Sequence, residues 1–353
     1  MLATQISAGT ARKPVTLPLE TVPAWKQIIG SAEPFLQSVG SCLADQIQAF
    51  DPEIAIYARY ALTGQGKQLR PVLVALSAGA TGSLTDSHVM AAVIIEMVHL
   101  ATLVHDDVMD EAEIRRGRPT LAAHWGNEIS VLVGDCLFAH ALRLAASFPT
   151  PEICRAVAAA TNTVCSGEIL QTQRQKNFEL SRSEYFKVLS MKTGELFALS
   201  CDLGAYLSGA PAGQRAALRQ YGLALGTGYQ VYDDCLDLFG SEDSAGKSLG
   251  TDLAKGKMTL PMIWLLERVN LTERAQIIAL LQDWQPAFFP QVMSLLRAHK
   301  ALDESWRAIH QYLQSARKTL QGLPESESRT SLSGLIDYLA QQTDVLRGST
   351  YTC

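Results

Sequence analysis

The spacing of apolar residues is the feature that most constrains this chain. From about residue 23 onward, apolar side chains recur every three or four residues, most regularly over 84–110, 152–177 and 182–208. This is the period of an α-helix, and no segment alternates apolar and polar residues as a strand with one buried face does. Several of the helices are apolar around much of their circumference, so they need neighbours on most sides. The pattern predicts an all-α fold, built as one large helical bundle.

Local residues indicate where these helices begin. Ser83 or Thr85 can accept hydrogen bonds from the free amides at the start of the first of them, and Ser181 can do the same for the third. Glycine and proline segments such as 79–83 and 117–119 predict turns between helices.

The first residues of the chain differ from the rest. Residues 1–22 contain no acid before Glu20, only the two basic residues Arg12 and Lys13, and no apolar core of a secretory signal. We expect a disordered tail there, with an organellar transit peptide as the alternative. No interdomain linker is recognisable in the remainder, so we expect a single α-helical domain over 23–353 and a cytoplasmic location.

Composition excludes several classes of function. The chain carries 30 Lys and Arg against 35 Asp and Glu, for a net charge of −5. A dedicated nucleic-acid-binding protein needs a basic excess to neutralise phosphates, so this class is excluded. No run of eighteen apolar residues occurs, and we therefore expect no integral membrane segment. The seven cysteines include no C-x-x-C pair and predict reduced thiols instead of a disulfide framework or a zinc site.

Two acidic clusters stand at the ends of apolar helices. Asp106, Asp107 and Asp110 have the spacing D-D-x-x-D, and Asp233, Asp234 and Asp237 repeat it. Residues four apart share a helix face about 6 Å apart, and carboxylates at a helix C-terminus oppose the dipole, so a cation should compensate them. Mg²⁺ is bound by one or two carboxylates together with water and phosphate oxygens. A single such cluster is as easily a solvated helix end, but a matching pair predicts a diphosphate held through Mg²⁺.

Basic residues accompany both clusters, and Arg and Lys side chains are what phosphate oxygens require. Lys67 and Arg70 lie at a predicted helix start, where free amides also favour an anion. The other basic residues near the clusters are Arg115, Arg116, Lys192, Lys247 and Lys257. Any one of them alone is more often a solvated surface charge. Lys192 fits that interpretation least, because its helix is otherwise apolar.

These motifs occur in an order that resembles the trans-isoprenyl diphosphate synthases, and especially their long-chain members. The matching residues are Gly66-Lys67-x-x-Arg70-Pro71, Glu96-x-x-His99, His105-Asp106-Asp107-x-x-Asp110, Arg115-Arg116-Gly117, Gly167-Glu168-x-x-Gln171, Lys192-Thr193, Gln230-x-x-Asp233-Asp234-x-x-Asp237 and Gly256-Lys257-x-Thr259-Leu260-Pro261. The resemblance runs from about residue 30 to the C-terminus. It implies an α-helical bundle around a deep apolar cavity, in a protein that is usually a homodimer.

The resemblance also implies a role for each site residue. The Mg²⁺ ligands would be Asp106, Asp110 and Asp233, with three ions per site and with Asp107, Asp234 and Asp237 in support. The residues that contact the allylic diphosphate would be Arg115, Lys192, Thr193, Gln230, Lys247 and Lys257. The residues that hold isopentenyl diphosphate would be Lys67, Arg70, His99 and Arg116.

The implied reaction is a condensation of the two diphosphates. The allylic substrate, farnesyl or geranylgeranyl diphosphate, ionises at its C–O bond while Mg²⁺ and the cations stabilise the departing diphosphate. The double bond of isopentenyl diphosphate then attacks the allylic cation, and the apolar cavity excludes water. The released diphosphate takes the proton that is lost, so the family needs no dedicated side-chain base.

Product length should depend on the helix that ends at the first cluster. Thr102 and Ala101 lie four and five residues before Asp106, one turn deeper on the pocket face. Short-chain family members have an aromatic floor here, so these two small residues predict a product of C30 or longer. The floor would then lie deeper, near 94–98 or near 136–138. Geranylgeranyl diphosphate (C20) is the alternative product.

Two other functions share parts of this pattern. A class I terpene cyclase has one aspartate-rich helix and uses Mg²⁺, but its second metal motif differs and it does not need Lys67, Arg70 and His99. A non-catalytic subunit of a heteromeric prenyltransferase usually lacks one acidic cluster. Both clusters are complete here, which favours an enzyme.

Overall fold

The chain is helical along nearly all the residues that the computed structural model describes, which are 21–63, 66–241 and 249–351. The all-α prediction is therefore confirmed. The helices are α1 (Thr21–Ile29), α2 (Glu33–Gln46), α3 (Ala55–Thr63), α4 (Leu69–Thr81), α5 (Asp86–Met109), α6 (Leu121–Trp125), α7 (Asn127–Ala146), α8 (Glu152–Gln173), α9 (Arg182–Leu189), α10 (Glu195–Leu207), α11 (Ala212–Phe239), α12 (Thr251–Ala254), α13 (Leu260–Arg268), α14 (Leu271–Gln282), α15 (Phe289–Ala298), α16 (Ala301–Thr319) and α17 (Glu327–Tyr351).

The helix starts predicted from the sequence are close to those observed. Thr85 is the N-cap of α5 and forms a reciprocal capping box with His88. Ser181 accepts the backbone N–H of Glu184 at the start of α9. Such caps satisfy amides that have no partner within the helix. The turn predicted at 79–83 begins later, because α4 continues to Thr81.

The structure adds one short element that the sequence pattern did not indicate. Between α5 and α6 the chain forms a short antiparallel hairpin, in which β1 (Ile114–Arg115) pairs with β2 (Arg118–Pro119). The two residues between the strands, Arg116 and Gly117, have φ angles of +53° and +74°. Two consecutive positive φ angles fit the tight turns that join two strands. Strands of two residues are too short to produce an alternating sequence pattern.

Helix α5 lies in the middle of the bundle and packs against α2, α4, α7 and α10. From Ala91 to Val98 every residue of α5 is buried, which explains why the helix is apolar on all sides. The last turn of α5 leaves this core and carries the first acidic cluster to the rim of the bundle. Helix α11, which packs against α10 and α16, carries the second cluster in the same way.

Among the described residues, two helices are long and apolar enough to cross a membrane if length and composition alone are considered. They are α5, with a mean hydropathy of 1.7 over its most apolar window, and α7, with 1.6. The window of α5 is 67% buried within the bundle, so packing accounts for its apolar character. The window of α7 is only 39% buried. The count of uninterrupted apolar residues did not reveal this exposed apolar face.

The predicted N-terminal tail falls almost entirely outside the described residues. Helix α1 begins at Thr21, so the regular structure starts two residues before residue 23, the predicted start of the domain.

We expect the glycines of α11 to differ sharply in their tolerance of alanine. A Cβ at Gly222 would lie 2.7 Å from the Phe197 carbonyl carbon and 2.8 Å from the Ala198 Cα, both backbone atoms of α10. Because backbone cannot move aside cheaply, Gly222→Ala should lower the free energy of unfolding by about 1–3 kcal/mol in urea denaturation. The matched control is Gly213→Ala near the start of the same helix, where a Cβ meets nothing within 4 Å. That variant should be neutral, or more stable by up to about 1 kcal/mol; equal effects of the two would contradict the packing argument.

Candidate active site

The two acidic clusters lie close together, and the segment between α9 and α10 connects them. Lys192 Nζ lies 3.7 Å from Asp106 Oδ2 of the first cluster. The next residue, Thr193, donates a hydrogen bond of 2.8 Å to Gln230, whose amide lies 3.4 Å from Asp233 of the second cluster. The prediction that the clusters share one site therefore agrees with the geometry. The site lies where α5 and α11 end at the rim of the bundle.

Lys192 and Thr193 lie in a π-helical segment, Ser190–Gly194, instead of the regular helix that the sequence pattern indicated. Such one-turn irregularities occur frequently at functional sites. Helix α8 approaches this segment closely at Gly167, where a Cβ would lie 2.8 Å from the Lys192 backbone nitrogen. The small residue of the Gly167-Glu168-x-x-Gln171 motif therefore allows the two helices to come into contact.

The ammonium group of Lys192 is held by acidic and amide side chains. It lies 2.6 Å from Glu168 Oε2 and donates a hydrogen bond of 2.9 Å to Gln171 Oε1. Burial opposes its charge, but the carboxylates of Asp106 and then Glu168 raise the pKa of Lys192 above its ordinary value. The side chain therefore stays protonated beside the first cluster and can offset charge on an anionic ligand.

Asp110 is the carboxylate that most clearly joins the two halves of the site. Its Oδ1 atom lies 3.1 Å from Lys255 Nζ and 3.2 Å from Lys257 Nζ, although both lysines follow the second cluster in the chain. Burial would raise the pKa of Asp110, but the charges of Lys257 and Lys255 outweigh it and lower that pKa. Asp110 is therefore ionised, as a metal ligand must be.

Asp107 is turned away from this centre. It is only 5% exposed and accepts a hydrogen bond of 2.6 Å from Arg115 Nε on the hairpin. Burial raises the pKa of Asp107, and Arg115 opposes that effect. The pair fixes the hairpin to the end of α5, which agrees with the supporting role expected for Asp107. Arg115 is engaged by this carboxylate and remains about one third exposed.

Asp237 has a structural role in the second cluster. It is fully buried, and its carboxylate accepts hydrogen bonds from the Thr251 hydroxyl (2.6 Å), the Thr251 amide (3.3 Å) and the Asp252 amide (3.1 Å). These contacts fix the start of α12 against α11. Because donors of the protein already occupy both oxygens, Asp237 supports the site without facing it.

Asp234 is also occupied, whereas Asp233 is more open. Tyr185 donates a hydrogen bond of 2.6 Å to one oxygen of Asp234, and Gln230 donates one of 3.0 Å to the other. Burial, followed by the charge of Asp252, raises the pKa of Asp234 to about 7. Asp233 is half-buried and its Oδ2 atom has the long 3.4 Å contact with Gln230. The six carboxylates therefore fall into two sets. Asp107, Asp234 and Asp237 each accept a hydrogen bond of 2.6 Å from another element of the protein. We call Asp106, Asp110 and Asp233 the outward carboxylates, because they lack such a short bond and are partly exposed.

Arg70 and Arg116 form a second group of cations in the site. The guanidinium of Arg70 lies 5.1 Å from the Phe197 ring centre. The guanidinium of Arg116 lies against Gly66, where a Cβ would be 2.7 Å from Nη2. Arg70, in the first turn of α4, is near enough to His99 that, after burial, its charge contributes to lowering the pKa of His99 well below the ordinary value. His99 is therefore a neutral imidazole at neutral pH.

Glu96 carries a carboxylate that lies close enough to Arg70 and Arg116 to offset part of their positive charge. It is 4% exposed, and its Oε2 atom has no hydrogen-bond partner among the described residues. Burial raises the pKa of Glu96, while the charges of Arg70 and Arg116 lower it. The Nε atom of Arg70 is also without a partner in the same part of the structure. Polar groups that are buried and unpaired are costly, so a bound ligand or water that pairs them would be favoured.

The remaining predicted residues are placed as follows. Lys67 is exposed, with its ammonium group 5.8 Å from the Tyr338 ring centre. Ala101 is fully buried, and Thr102 is half-buried with its hydroxyl donating to the His99 carbonyl at 2.7 Å. Lys247, predicted to contact the allylic diphosphate, lies outside the described residues.

Several residues of the site were missed or received no role in the sequence analysis. Tyr185 carries no local signal, because its partner Asp234 is 49 residues away. Lys255 is one of many lysines until the fold brings it to Asp110. Glu96, Glu168 and Gln171 belonged to recognised motifs, but spacing alone did not say what each one contacts.

The chain matches known proteins over most of its length. The sequence profile of a family described as polyprenyl synthetase matches residues 51–293. An octaprenyl diphosphate synthase from Haemophilus influenzae is 34% identical over 86% of this chain and 93% of its own length. A nonaprenyl diphosphate synthase from Mycobacterium tuberculosis is 38% identical over 77% and 82%. A heptaprenyl diphosphate synthase component 2 from Geobacillus stearothermophilus is 35% identical over 87% and 99%.

Solved structures give the same result. A decaprenyl diphosphate synthase from Rhodobacter capsulatus superposes with a TM-score of 0.84 at 32% identity, covering 90% of this chain and 99% of the other. A polyprenyl synthase from Caulobacter crescentus, complexed with calcium and isoprenyl diphosphate, gives 0.85 at 32% identity over 90% and 97%. A geranylgeranyl pyrophosphate synthetase from Pyrococcus horikoshii gives 0.81 at 28% over 91% and 99%. The predicted isoprenyl diphosphate synthase fold is confirmed.

Proposed function

The chain belongs to the polyprenyl synthetase family and is a prenyltransferase, and from that premise we propose the reaction that its site carries out. We propose that it condenses isopentenyl diphosphate with farnesyl or geranylgeranyl diphosphate to make an all-trans polyprenyl diphosphate of C30 or longer. The observation that carries this proposal is the arrangement of three outward carboxylates: Asp106 lies beside the protonated Lys192, Asp110 beside Lys257, and Asp233 beside Gln230.

The donor set of this site fits Mg²⁺. The outward groups are carboxylates, which are hard oxygen ligands, and Asp110 is kept ionised by two lysines. Within the described ranges no three His, Cys, Asp or Glu side chains converge on one point that could hold a metal ion. Mg²⁺ does not require such a cage, because it is usually bound through one or two carboxylates with water and substrate phosphate. When bound, Mg²⁺ supplies positive charge opposite the departing diphosphate; we propose three ions per site.

The protein groups divide into two substrate subsites. Lys192, Thr193, Gln230 and Lys257 line the side of the acidic clusters and, with Arg115 and Lys247, would orient the allylic diphosphate for ionisation. On the other side, Lys67, Arg70, His99 and Arg116 would hold isopentenyl diphosphate. The unpaired Nε atom of Arg70 supports this second subsite, because it is a donor that a diphosphate oxygen can accept from. The attacking double bond then faces the allylic carbon, and the released diphosphate accepts the proton.

The long product is supported by relatives and by the small residues before the first cluster. The octaprenyl, nonaprenyl and decaprenyl synthases are named for long-chain products. Ala101 lies in the buried part of α5, and its small side chain would not block a tail that grows along this helix. Met97 and Ile94, one and two turns deeper on the same helix, are fully buried and are the proposed floor. Cys136 is exposed, so it is not a floor within one subunit.

The proposed reaction is tested with purified protein, Mg²⁺, isopentenyl diphosphate and farnesyl diphosphate, followed by sizing of the dephosphorylated products. We expect products of C30 or longer from the wild type, whereas a sharp stop at C20 would establish the alternative. Ala101→Phe should shorten the products to C15–C20, because the ring blocks the tail one turn below Asp106. Ile56→Phe is the control, since Ile56 is 57% exposed on α3, and it should leave the product length unchanged. Unshortened products from Ala101→Phe would contradict the proposed path.

The assignment of Asp106 is tested in the same assay. Asp106→Asn keeps the volume of the side chain but removes its charge, so turnover should fall by about 100-fold or more. The matched control is Asp135→Asn on α7, whose carboxylate is 62% exposed, and it should retain wild-type turnover. Full activity of Asp106→Asn would exclude Asp106 as a metal ligand.

We also propose that residues 23–353 form one domain and that two copies form a homodimer. A single buried core extends from Ile29 to Leu346, which supports the one domain. The dimer is supported by the outward face of α7, where Val131 (41%), Leu132 (60%) and Leu142 (37%) are exposed beside Ile169 (58%) on α8. Contiguous exposed apolar residues typically mark a protein interface. A cytoplasmic location stays a prediction.

The dimer is tested by light scattering coupled to size-exclusion chromatography. The wild type should have twice the mass of the chain, and Leu132→Glu should shift it towards the monomer because a buried, unpaired charge is costly. Leu271→Glu, at a residue that is 86% exposed on α14, should leave the mass unchanged. A monomeric wild type would exclude the homodimer, and a requirement for a second polypeptide would favour the heteromeric alternative.

A further inference from the structure

Tyr185 is a buried polar residue that the proposed reaction does not use. It lies on α9, is 4% exposed, and donates a hydrogen bond of 2.6 Å from its hydroxyl to Asp234 Oδ2. This length is typical of a hydroxyl that donates to an ionised carboxylate. A buried tyrosine hydroxyl usually has a partner, but here the partner belongs to the second acidic cluster.

This hydrogen bond joins two helices. Tyr185 lies on α9 and Asp234 on α11, 49 residues apart in the chain. The hydroxyl of Tyr185 therefore connects α9 to the second acidic cluster.

The hydrogen bonds around Asp234 engage both of its carboxylate oxygens. Its Oδ1 atom accepts from Gln230 Nε2 at 3.0 Å, and the orientation of that amide is fixed because Thr193 donates to Gln230 Oε1 at 2.8 Å. With Tyr185 on Oδ2, donors occupy both sides of the carboxylate. Asp233, the next residue along α11, has the weaker 3.4 Å contact with the same amide.

From this arrangement we infer that Tyr185 is a positioning residue for the metal site: by holding Asp234 against α9, it leaves Asp233 as the carboxylate of this pair that faces the diphosphate. This inference rests on the proposed function. Residues that hydrogen-bond to the ligands of a metal, or to groups that orient those ligands, typically change metal affinity by about 10–100-fold when they are mutated. Tyr185 acts through Asp234 and touches no substrate.

The experiment measures binding of Mn²⁺ with inorganic diphosphate by the loss of the free-ion signal in electron paramagnetic resonance, so that it does not depend on turnover. Tyr185→Phe keeps the ring and removes only the hydroxyl, and its Kd for Mn²⁺ should rise by about 10–100-fold. The matched control is Tyr221→Phe, since Tyr221 is fully buried and donates a 2.7 Å hydrogen bond to the Leu332 carbonyl, away from the acidic clusters. Its thermal stability should fall by a similar amount, but its Kd should stay within twofold of the wild type.

A double variant establishes whether Tyr185 acts through Asp234. In the Asp234→Ala background, which has no side-chain acceptor for the Tyr185 hydroxyl, Tyr185→Phe should have less than a threefold further effect on the Kd, because the interaction is already lost. Removing both partners also avoids leaving one buried group unsatisfied, so the double variant serves if Tyr185→Phe alone is too unstable to purify.

Two results would overturn the inference while the proposed function stands: a wild-type Kd in Tyr185→Phe, or an undiminished effect of Tyr185→Phe in the Asp234→Ala background. If the wild type itself neither bound Mn²⁺ with diphosphate nor made product, the proposed function and this inference would both fail. If it bound Mn²⁺ but made no product, the reaction would fail while the test of Tyr185 remained decisive.

Discussion

The site depends on gathering six aspartates at the rim of an apolar bundle. Carboxylates at the C-terminal end of a helix repel one another and oppose the helix dipole, so the two clusters would destabilise the fold without compensation. The structure provides compensation from several directions: Lys192 from the π-helical segment, Lys255 and Lys257 from the loop after α12, and Arg115 from the hairpin. These cations come from three different parts of the chain, so the charges can balance only when the whole bundle has formed.

The aspartates share a motif but not an environment. In each cluster the middle residue, Asp107 or Asp234, is turned into the protein and bound by a donor from another element. Asp237 is buried as well and fixes the start of α12. Half of the acidic residues thus hold the framework, and the other half can face a ligand. A repeated spacing identifies which chemistry a site uses, but not which of its carboxylates is available for it.

The sequence predicted those features that depend on local spacing. The helical class and the caps at Thr85 and Ser181 follow from residues within a few positions of each other. The two acidic clusters were recognised because the same short spacing occurs twice in the chain. Features that depend on distant contacts could not be predicted in this way, such as the bond between Tyr185 and Asp234 or the approach of Lys255 to Asp110. The short hairpin was missed because two-residue strands leave no pattern, and its turn depends on Arg116 adopting a positive φ angle.

The π-helical segment Ser190–Gly194 has a consequence for how the site tolerates change in length. A π-turn holds one residue more than a regular turn, and each residue of a helix advances its side chains by about 100°. The segment therefore sets the angular offset between α9 and α10. Deleting one residue from it would make the helix regular, yet it would turn the face that carries Tyr185 away from α11 while the face of α10 stayed against α4. The π-turn therefore keeps the buried faces of α9 and α10 directed at their respective neighbours. The number of residues in this segment is for that reason as constrained as their identity.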